Sequence, residues 1–524
     1  MTNMKHPFLN IVYCVLLLSV VGCKPKEESK PAEAKSIVIL YEDDAHCVIE
    51  GYAKMRGLRD AILSADTSYV AVVSSGDFIN GQLLGSYSHG QYVVDVMKLA
   101  GYDAVTLGNH EFDFGVPTMH KLLDQLHTSV VSANLYAYGA SAPEFPPYTI
   151  KQYGNKRVAF VGVTTPESME SVPYTFFDED GHQLYDMRTK DVSGLVQAAV
   201  DQARKDGADY VILLAHLGEE KSENGVDTHT LIAATRDIDA VLDAHTHSVI
   251  RCRMEANIDG DSVPVSQAGA EFVNIGHLWI SKEGKMAFRL IADTDNPYIN
   301  DQVKAAADSI YTLLNQATSR KVAHVDFDMT VKDADGEWIT RHRECTMGDL
   351  VADAFRAAMK ADIGLVNGGA MRGNFKAGDI SYGHVYAVLP YDNYLCLISA
   401  TGAQIQTMLN KCCAKCPAEE GQFPHVAGLK YTIHTASHTV TDVQVLDSAT
   451  ETYEPLDETR TYTIGVSDFY KQGGFYETLH PCPTLSKTEQ RCRDVFADYL
   501  EQTLHGLIPD DYRNPQGRIT MLED

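Results

Sequence analysis

From Ser36 to about Asp293, short apolar runs alternate with stretches of helical periodicity. The runs Ser36–Tyr41, Tyr69–Ser74, Ala104–Leu107, Val130–Ser132, Arg157–Val163, Tyr210–Ala215 and Ala240–Asp243 read as strands. Several are β-branched and apolar throughout instead of alternating, the pattern of strands covered on both faces. A layered α/β domain is the expectation. After Asn296-Pro297, the stretch Ile299–Thr318 spaces its apolar residues as an amphipathic connecting helix. A second domain opens near Val322. It begins with a strongly helical stretch, Met347–Lys360, and continues through mixed strands with glycine-rich turns. The division predicted is 36–298, 299–318 and 319–524, with no internal repeat.

The first residues follow another pattern. Lys5 precedes an apolar run from Phe8 to Val21, and Val20-Val21-Gly22-Cys23 closes it. That run is shorter than the roughly 20 residues of a membrane-spanning helix, so residues 1–22 read as a secretory signal peptide. The ending resembles a bacterial lipobox, which makes Cys23 the lipidated first residue of the mature protein. Residues 23–35 carry Pro25 and Pro31 and read as a flexible tether. The chain is thus expected to be an exported lipoprotein facing the periplasm or the cell surface, touching membrane only through the lipid on Cys23.

Composition narrows the partners. Hydrophobic residues make up 44% and charged residues 22%, ordinary for a globular protein, and 524 residues allow two or more cores. The net charge of -27 excludes a polymeric nucleic acid, whose binders displace counterions with basic faces. An anionic substrate has to find positive charge locally, from metal ions or arginines. Beyond Cys14 and Cys23, nine of the 11 cysteines remain, with Cys412, Cys413, Cys416, Cys482 and Cys492 late in the chain. Outside the cytoplasm these are expected to form structural bridges, with at least one thiol left free by the odd count. A metal-binding Cys-Cys-x-x-Cys is the lesser alternative, for want of a second matched pair.

Candidate chemistry lies where the strands end. Asp44-Ala45-His46 follows the first run, Gly76-Asp77 the second and Gly108-Asn109-His110-Glu111 the third. His216 follows Tyr210–Ala215, and His245-Thr246-His247 follows Ala240–Asp243. Ligand sites of open α/β sheets lie outside the carboxyl ends of the strands, so five such ends converge. One strand-end histidine is usually structural or solvated; five strand ends in Asp, Asn or His, coinciding in chain order, are much harder to explain that way. A two-metal site needs an anionic bridge between ions roughly 3.5–4 Å apart, with imidazole and oxygen donors around it. Mixed His, Asp and Asn donors suit Zn, Mn, Fe or Co better than Ca or Mg.

These motifs resemble the calcineurin-like metallophosphoesterase signature. Asn367-Gly368-Gly369-Ala370-Met371-Arg372, Gly378-Asp379-Ile380-Ser381, Leu389-Pro390-Tyr391 and Thr401-Gly402 extend the likeness to the 5'-nucleotidase family, which includes UDP-sugar hydrolases. The resemblance implies an α/β fold: a layered αββα metallophosphoesterase domain joined by a helix to a second α/β substrate-binding domain. It implies two divalent metal ions, zinc, manganese or similar. Asp44, His46 and His247 would hold one ion, Asn109, His216 and His245 the other, and Asp77 would bridge them. His110 would stabilise charge on the phosphoryl group or leaving oxygen, oriented by Asp113. Arg372 would bind substrate phosphate, and Phe423 and Phe469 would sandwich a nucleobase.

One departure bears on substrate. The family's Gly-Gly-Asp-Gly, whose aspartate holds the ribose hydroxyls, is Gly473-Gly474-Phe475-Tyr476 here. An apolar ring cannot accept hydrogen bonds from a diol. The expected activity is hydrolysis of phosphate esters, with nucleoside 5'-monophosphates as the default small-molecule substrate. The alternatives are a UDP-sugar hydrolase or 2',3'-cyclic nucleotide phosphodiesterase and, outside enzymes, a surface nucleotide-binding protein.

Overall fold

The computed structural model describes residues 35–178, 182–219, 226–471 and 477–523. The signal and lipid-anchor readings at Phe8–Val21 and Cys23, and the Gly473–Tyr476 departure, lie outside these residues. No helix among the described residues is long and apolar enough to cross a membrane.

In the first domain, β1 (Ser36–Glu42), β2 (Ser68–Ser74), β3 (Ala104–Val105) and β4 (Ser129–Val130) run parallel, in that order. The hairpin Asn274–Ile280 and Met286–Ala292 adds two antiparallel strands beside β1. A second six-stranded sheet has the order Val249–Ala256, Ser262–Ala268, Ala240–Leu242, Tyr210–His216, Lys156–Thr164, Tyr148–Tyr153.

Packing explains the unbroken apolar runs. In β1, Ile37, Ile39 and Tyr41 meet Phe160, Ile212, Leu214 and Leu242 of the other sheet in one core. Val38 and Leu40 point the opposite way, into a core shared with the helices Gly51–Ser64, Gln91–Ala100 and Val116–Leu126. The second sheet behaves alike, burying Val211, Leu213 and Ala215 against the helix Val192–Lys205. With both faces of each sheet covered, the strands have no polar side to show. The result is the expected αββα layering.

The connecting helix is Asp301–Thr318, capped by the Asn300 side chain, which accepts from Val303 N–H at 3.1 Å. Its apolar stripe of Val303, Ala307, Ile310 and Leu314 lies in the first domain's helical core. The second domain pairs Lys321–Val325 with Gly378–Ser381 and builds a five-stranded and a four-stranded sheet. The helix Thr346–Met359 packs on the five-stranded sheet. No disulfide joins any of the nine described cysteines, eight of them buried, so the expected bridges are absent among the described residues. Cys412, Cys413, Cys416 and Cys482 pack in the second domain's core as small apolar side chains.

Candidate metal centre

Parallel register brings the strand ends to one edge. Glu42 pairs with Ser74 and Ser74 with Val105 in the first sheet; Leu242 pairs with Leu214 in the second. The sheets are tied at that edge, where Ser75 Oγ donates to the Leu242 carbonyl at 2.8 Å and His216 Nδ1 to the Ser75 carbonyl at 2.8 Å. Asp44, His46, Asp77 and Asn109 arrive from the first sheet, and His216, His245 and His247 from the second.

The seven side chains form one cage. Asp44 Oδ1 lies 3.8 Å from His247 Nε2, 3.9 Å from His216 Nε2 and 4.0 Å from His46 Nε2. Asp77 Oδ2 is 3.2 Å from His216 Nε2 and 3.9 Å from His46 Nε2, between the two sides of the cage. Asn109 Oδ1 faces His216 Nε2 at 3.2 Å and His245 Nδ1 at 3.0 Å. His46 and His247 bring their Nε2 atoms within 3.0 Å of each other. His46 Nδ1 is spoken for by the Asn80 carbonyl at 2.9 Å, as His216 Nδ1 is by Ser75. A carbonyl only accepts, so both rings carry their proton on Nδ1 and turn Nε2 lone pairs inward, the orientation of a metal ligand.

Strain and charge point the same way. Five of the seven residues, Asp44, His46, Asp77, His245 and His247, have φ between 42° and 81°, the left-handed region that side chains other than glycine's avoid. Asp44 Oδ1 is buried and has no hydrogen-bond partner. Burial opposes protonation of His216, yet Asp77 and Asp44 outweigh it and raise its pKa to about 10. The cage thus lacks positive charge, which protons or cations supply. Asp44, Asp77 and His216, together with Asp44, His46 and His247, bring one donor atom each within 4.8 Å of one another, as a metal ion requires.

Beside the cage, His110 Nδ1 donates to Asp113 Oδ2 at 2.7 Å, and Asn80 Nδ2 donates to the same oxygen at 2.6 Å. Burial lowers the His110 pKa, but Asp77 and Asp113 prevail and push it to about 10. The imidazolium is therefore the stable form here, a donor suited to an oxyanion.

The other expected site residues belong to the second domain. Arg372 lies over the Trp338 ring, 4.5 Å from its centroid. Phe469 is half-buried on a short turn after the strand Thr461–Ser467. Phe423 is 0% exposed, packed edge-on to His425 in the core, and presents no face to a ligand in this conformation. The aromatic that does reach solvent is Tyr391, at 43% exposure, lining a small cavity with Ala370, Asn393 and Ser467.

Four residues escaped the sequence reading. Glu111 accepts from the backbone N–H groups of Asp77, Phe78, Ile79 and Gly108, at 2.8, 2.9, 3.3 and 2.6 Å. Glu167 reaches His245 Nε2 at 2.9 Å. Arg341 shares the Trp338 ring with Arg372, 4.9 Å from the centroid, and its buried Nε has no partner. Tyr391 is the fourth. Glu111 and Tyr391 stand inside quoted motifs and were open to discovery; Thr340-Arg341-His342-Arg343-Glu344 reads as solvated charge, and nothing local marks Glu167.

Two stacked sheets with a ligand cage at their common edge, joined to a second α/β domain, make up a metallophosphoesterase-like fold with an added C-terminal domain. Residues 321–478 match the family model "5'-nucleotidase, C-terminal domain", and residues 55–258 match "Bacterial capsule synthesis protein PGA_cap". The trifunctional nucleotide phosphoesterase YfkN of Bacillus subtilis is 25% identical over 86% of this chain, which spans only 33% of that relative's length. A 5'-nucleotidase of Vibrio parahaemolyticus is 23% identical, with 96% of each chain covered. In the crystal structure of a 5'-nucleotidase precursor from Thermus thermophilus the fold recurs with a TM-score of 0.67 and 23% identity, covering 93% of this chain and 100% of that one. The chain is thus similar to 5'-nucleotidases along nearly its whole length, and its second domain matches that family's C-terminal model, as its motifs led us to expect.

Proposed function

We propose that the chain is a metal-dependent phosphoesterase that releases phosphate from nucleoside 5'-monophosphates, outside the cytoplasm and tethered through Cys23. The observation that carries this reading is the unpartnered Asp44 Oδ1, buried among three imidazole nitrogens at 3.8–4.0 Å. Leaving a buried acceptor unmatched costs about 1–3 kcal/mol, and a divalent cation in that gap removes the cost. Imidazole, carboxylate and amide oxygen together favour a transition metal over Ca or Mg. In this reading Asp44, His46 and His247 hold one ion, Asn109, His216 and His245 the other, and Asp77 spans both. Ions bound there supply Lewis acidity and lower the pKa of water toward about 7.

The chain's own residues do the rest. His110, held by Asp113, donates to the oxygen that gains charge as the ester bond breaks. Arg372 and Arg341, lying over one indole, grip the phosphate with planar guanidinium forks. Tyr391 and Phe469 offer flat apolar faces for a base, which stacking binds with little discrimination.

The test is phosphate release from AMP, other nucleoside monophosphates, UDP-sugars, 2',3'-cyclic nucleotides and phenyl phosphate, with Zn, Mn or Mg added. We expect kcat/KM to be highest on 5'-monophosphates and to vanish with chelator. Equal rates on AMP and phenyl phosphate would remove the base pocket from the proposal; no hydrolysis in any metal would remove the activity.

A further inference from the structure

Glu167 stands outside every motif and has no role in the site as proposed above. It follows the strand Lys156–Thr164 on a turn that fixes its backbone: its N–H donates to Thr165 Oγ1 at 3.3 Å, and its carbonyl accepts from Ser171 Oγ at 3.1 Å. From there its carboxylate meets His245 Nε2 at 2.9 Å. No lysine or arginine pairs with it among the described residues.

The consequence is a tautomer. An ionised carboxylate only accepts, so His245 carries its proton on Nε2 and its lone pair on Nδ1, across the ring. That Nδ1 lies 3.0 Å from Asn109 Oδ1, which is also 3.2 Å from His216 Nε2. Once His216 Nε2 gives up its own proton in favour of a cation, three lone pairs face one point, an arrangement that coordinates the ion. His46 and His216 are aimed by backbone carbonyls at Nδ1. His245 cannot use that device, because its Nδ1 is the atom facing the cage. It needs an acceptor behind Nε2, and Glu167 is that acceptor.

We infer that Glu167 is a positioning residue for the second ion, fixing the Nε2–H tautomer of His245 so that Nδ1 joins Asn109 and His216. The inference rests on the two-ion reading. Carboxylates behind metal-bound histidines commonly set affinity by about 10–100-fold, and that is the effect expected here.

The experiment is zinc and manganese binding to the full chain by calorimetry, with ion counts by elemental analysis, for wild type, Glu167→Ala and Glu167→Gln. The wild type should take up two ions. Glu167→Ala should weaken one of them about 10–100-fold, spare the other, and recover turnover in excess metal. The near-isosteric Glu167→Gln should show a smaller loss at the same site, and it carries the test if the alanine variant does not fold. Two ions bound with unchanged affinity by both variants overturn the inference and leave the two-ion reading standing, whatever happens to Tm. Fewer than two ions on the wild type overturns both.

Discussion

Asp77 divides its carboxylate between backbone and cage: Oδ1 accepts from the His110 N–H at 2.7 Å, and Oδ2 faces His216 and His46. Burial works to raise its pKa, yet His216, His110 and His46 hold it well below the usual carboxylate range. Asp77→Asn keeps the shape and one acceptor but removes the charge shared by both halves of the cage. We expect it to bind fewer than two ions and to lose turnover, with thermal unfolding little changed; wild-type rates in that variant would exclude the bridging role. His110→Asn makes the complementary case. It should retain both ions and lose about 10²–10⁴-fold in kcat, the usual worth of a positioned proton donor, read from steady-state kinetics beside an ion count. Side chains also mark where sequence reading stops. Phe423 and Tyr391 are both aromatics beside a proline, and which one reaches solvent depends on the second domain's tertiary packing. No local pattern carries that information.

Turns position what the strands deliver. The loops after β2 and β3 are held together by Glu111, which gathers four backbone N–H groups under the cage. Gly108 sits where those loops touch; a Cβ there would come within 2.0 Å of Asp77 Oδ1 and 2.6 Å of His216 Cε1. Gly108→Ala should therefore displace Asp77 and abolish tight ion binding, as calorimetry would report. Glu111→Ala leaves four buried donors without their acceptor. At about 1–3 kcal/mol for each unmatched group, partly relieved by water, we expect a loss of about 3 kcal/mol or more. It would appear as a lower denaturant midpoint at constant slope; a midpoint within error of wild type would mean the loops hold themselves. At this scale much was legible. The seven strand readings coincide with strands of the two sheets to within a residue or two, because runs apolar on both faces are unmistakable. The hairpins within Val249–Ala292 were not singled out, since Val249–Ala256 and Met286–Ala292 mix exposed and half-buried positions. Convergence of the strand ends followed from topology, whereas Glu167 and Arg341 join the site through contacts distant in sequence.

At the scale of the molecule, the domains meet near both halves of the proposed chemistry. Tyr386 Oη donates to the Ser86 carbonyl at 2.9 Å, and Tyr87 packs against the Tyr386 ring. His89 Nε2 lies 2.5 Å from Asp392 Oδ2, and Arg493 grips the other oxygen of the same carboxylate. On one side, His89 stacks on Phe114, the neighbour of Asp113, which holds His110. On the other, Asp392 follows Tyr391 at the cavity. One carboxylate thus joins the Tyr391 cavity to the turn that holds His110. Burial would raise the Asp392 pKa, but His89 and Arg493 outweigh it and hold it at about 2. A carboxyl whose pKa falls on folding stabilises the folded contact above its unfolded value of about 4, and that contribution fades as pH drops toward the folded value. The domain contact should therefore be intact at neutral pH and loosen between about pH 4 and 2. Small-angle scattering would register the change as a larger radius of gyration before the cores unfold. Asp392→Asn should weaken the contact already at pH 7 and raise KM a few-fold, in keeping with a partly exposed pair worth about 0.2–1 kcal/mol. Its ion content should not change, because no cage residue touches Asp392. An unchanged KM and a wild-type acid profile in that variant would leave the aromatic contact of Tyr87 and Tyr386 to hold the domains, and the carboxylate would be a local brace for the Tyr391 loop instead of a link between the two sites.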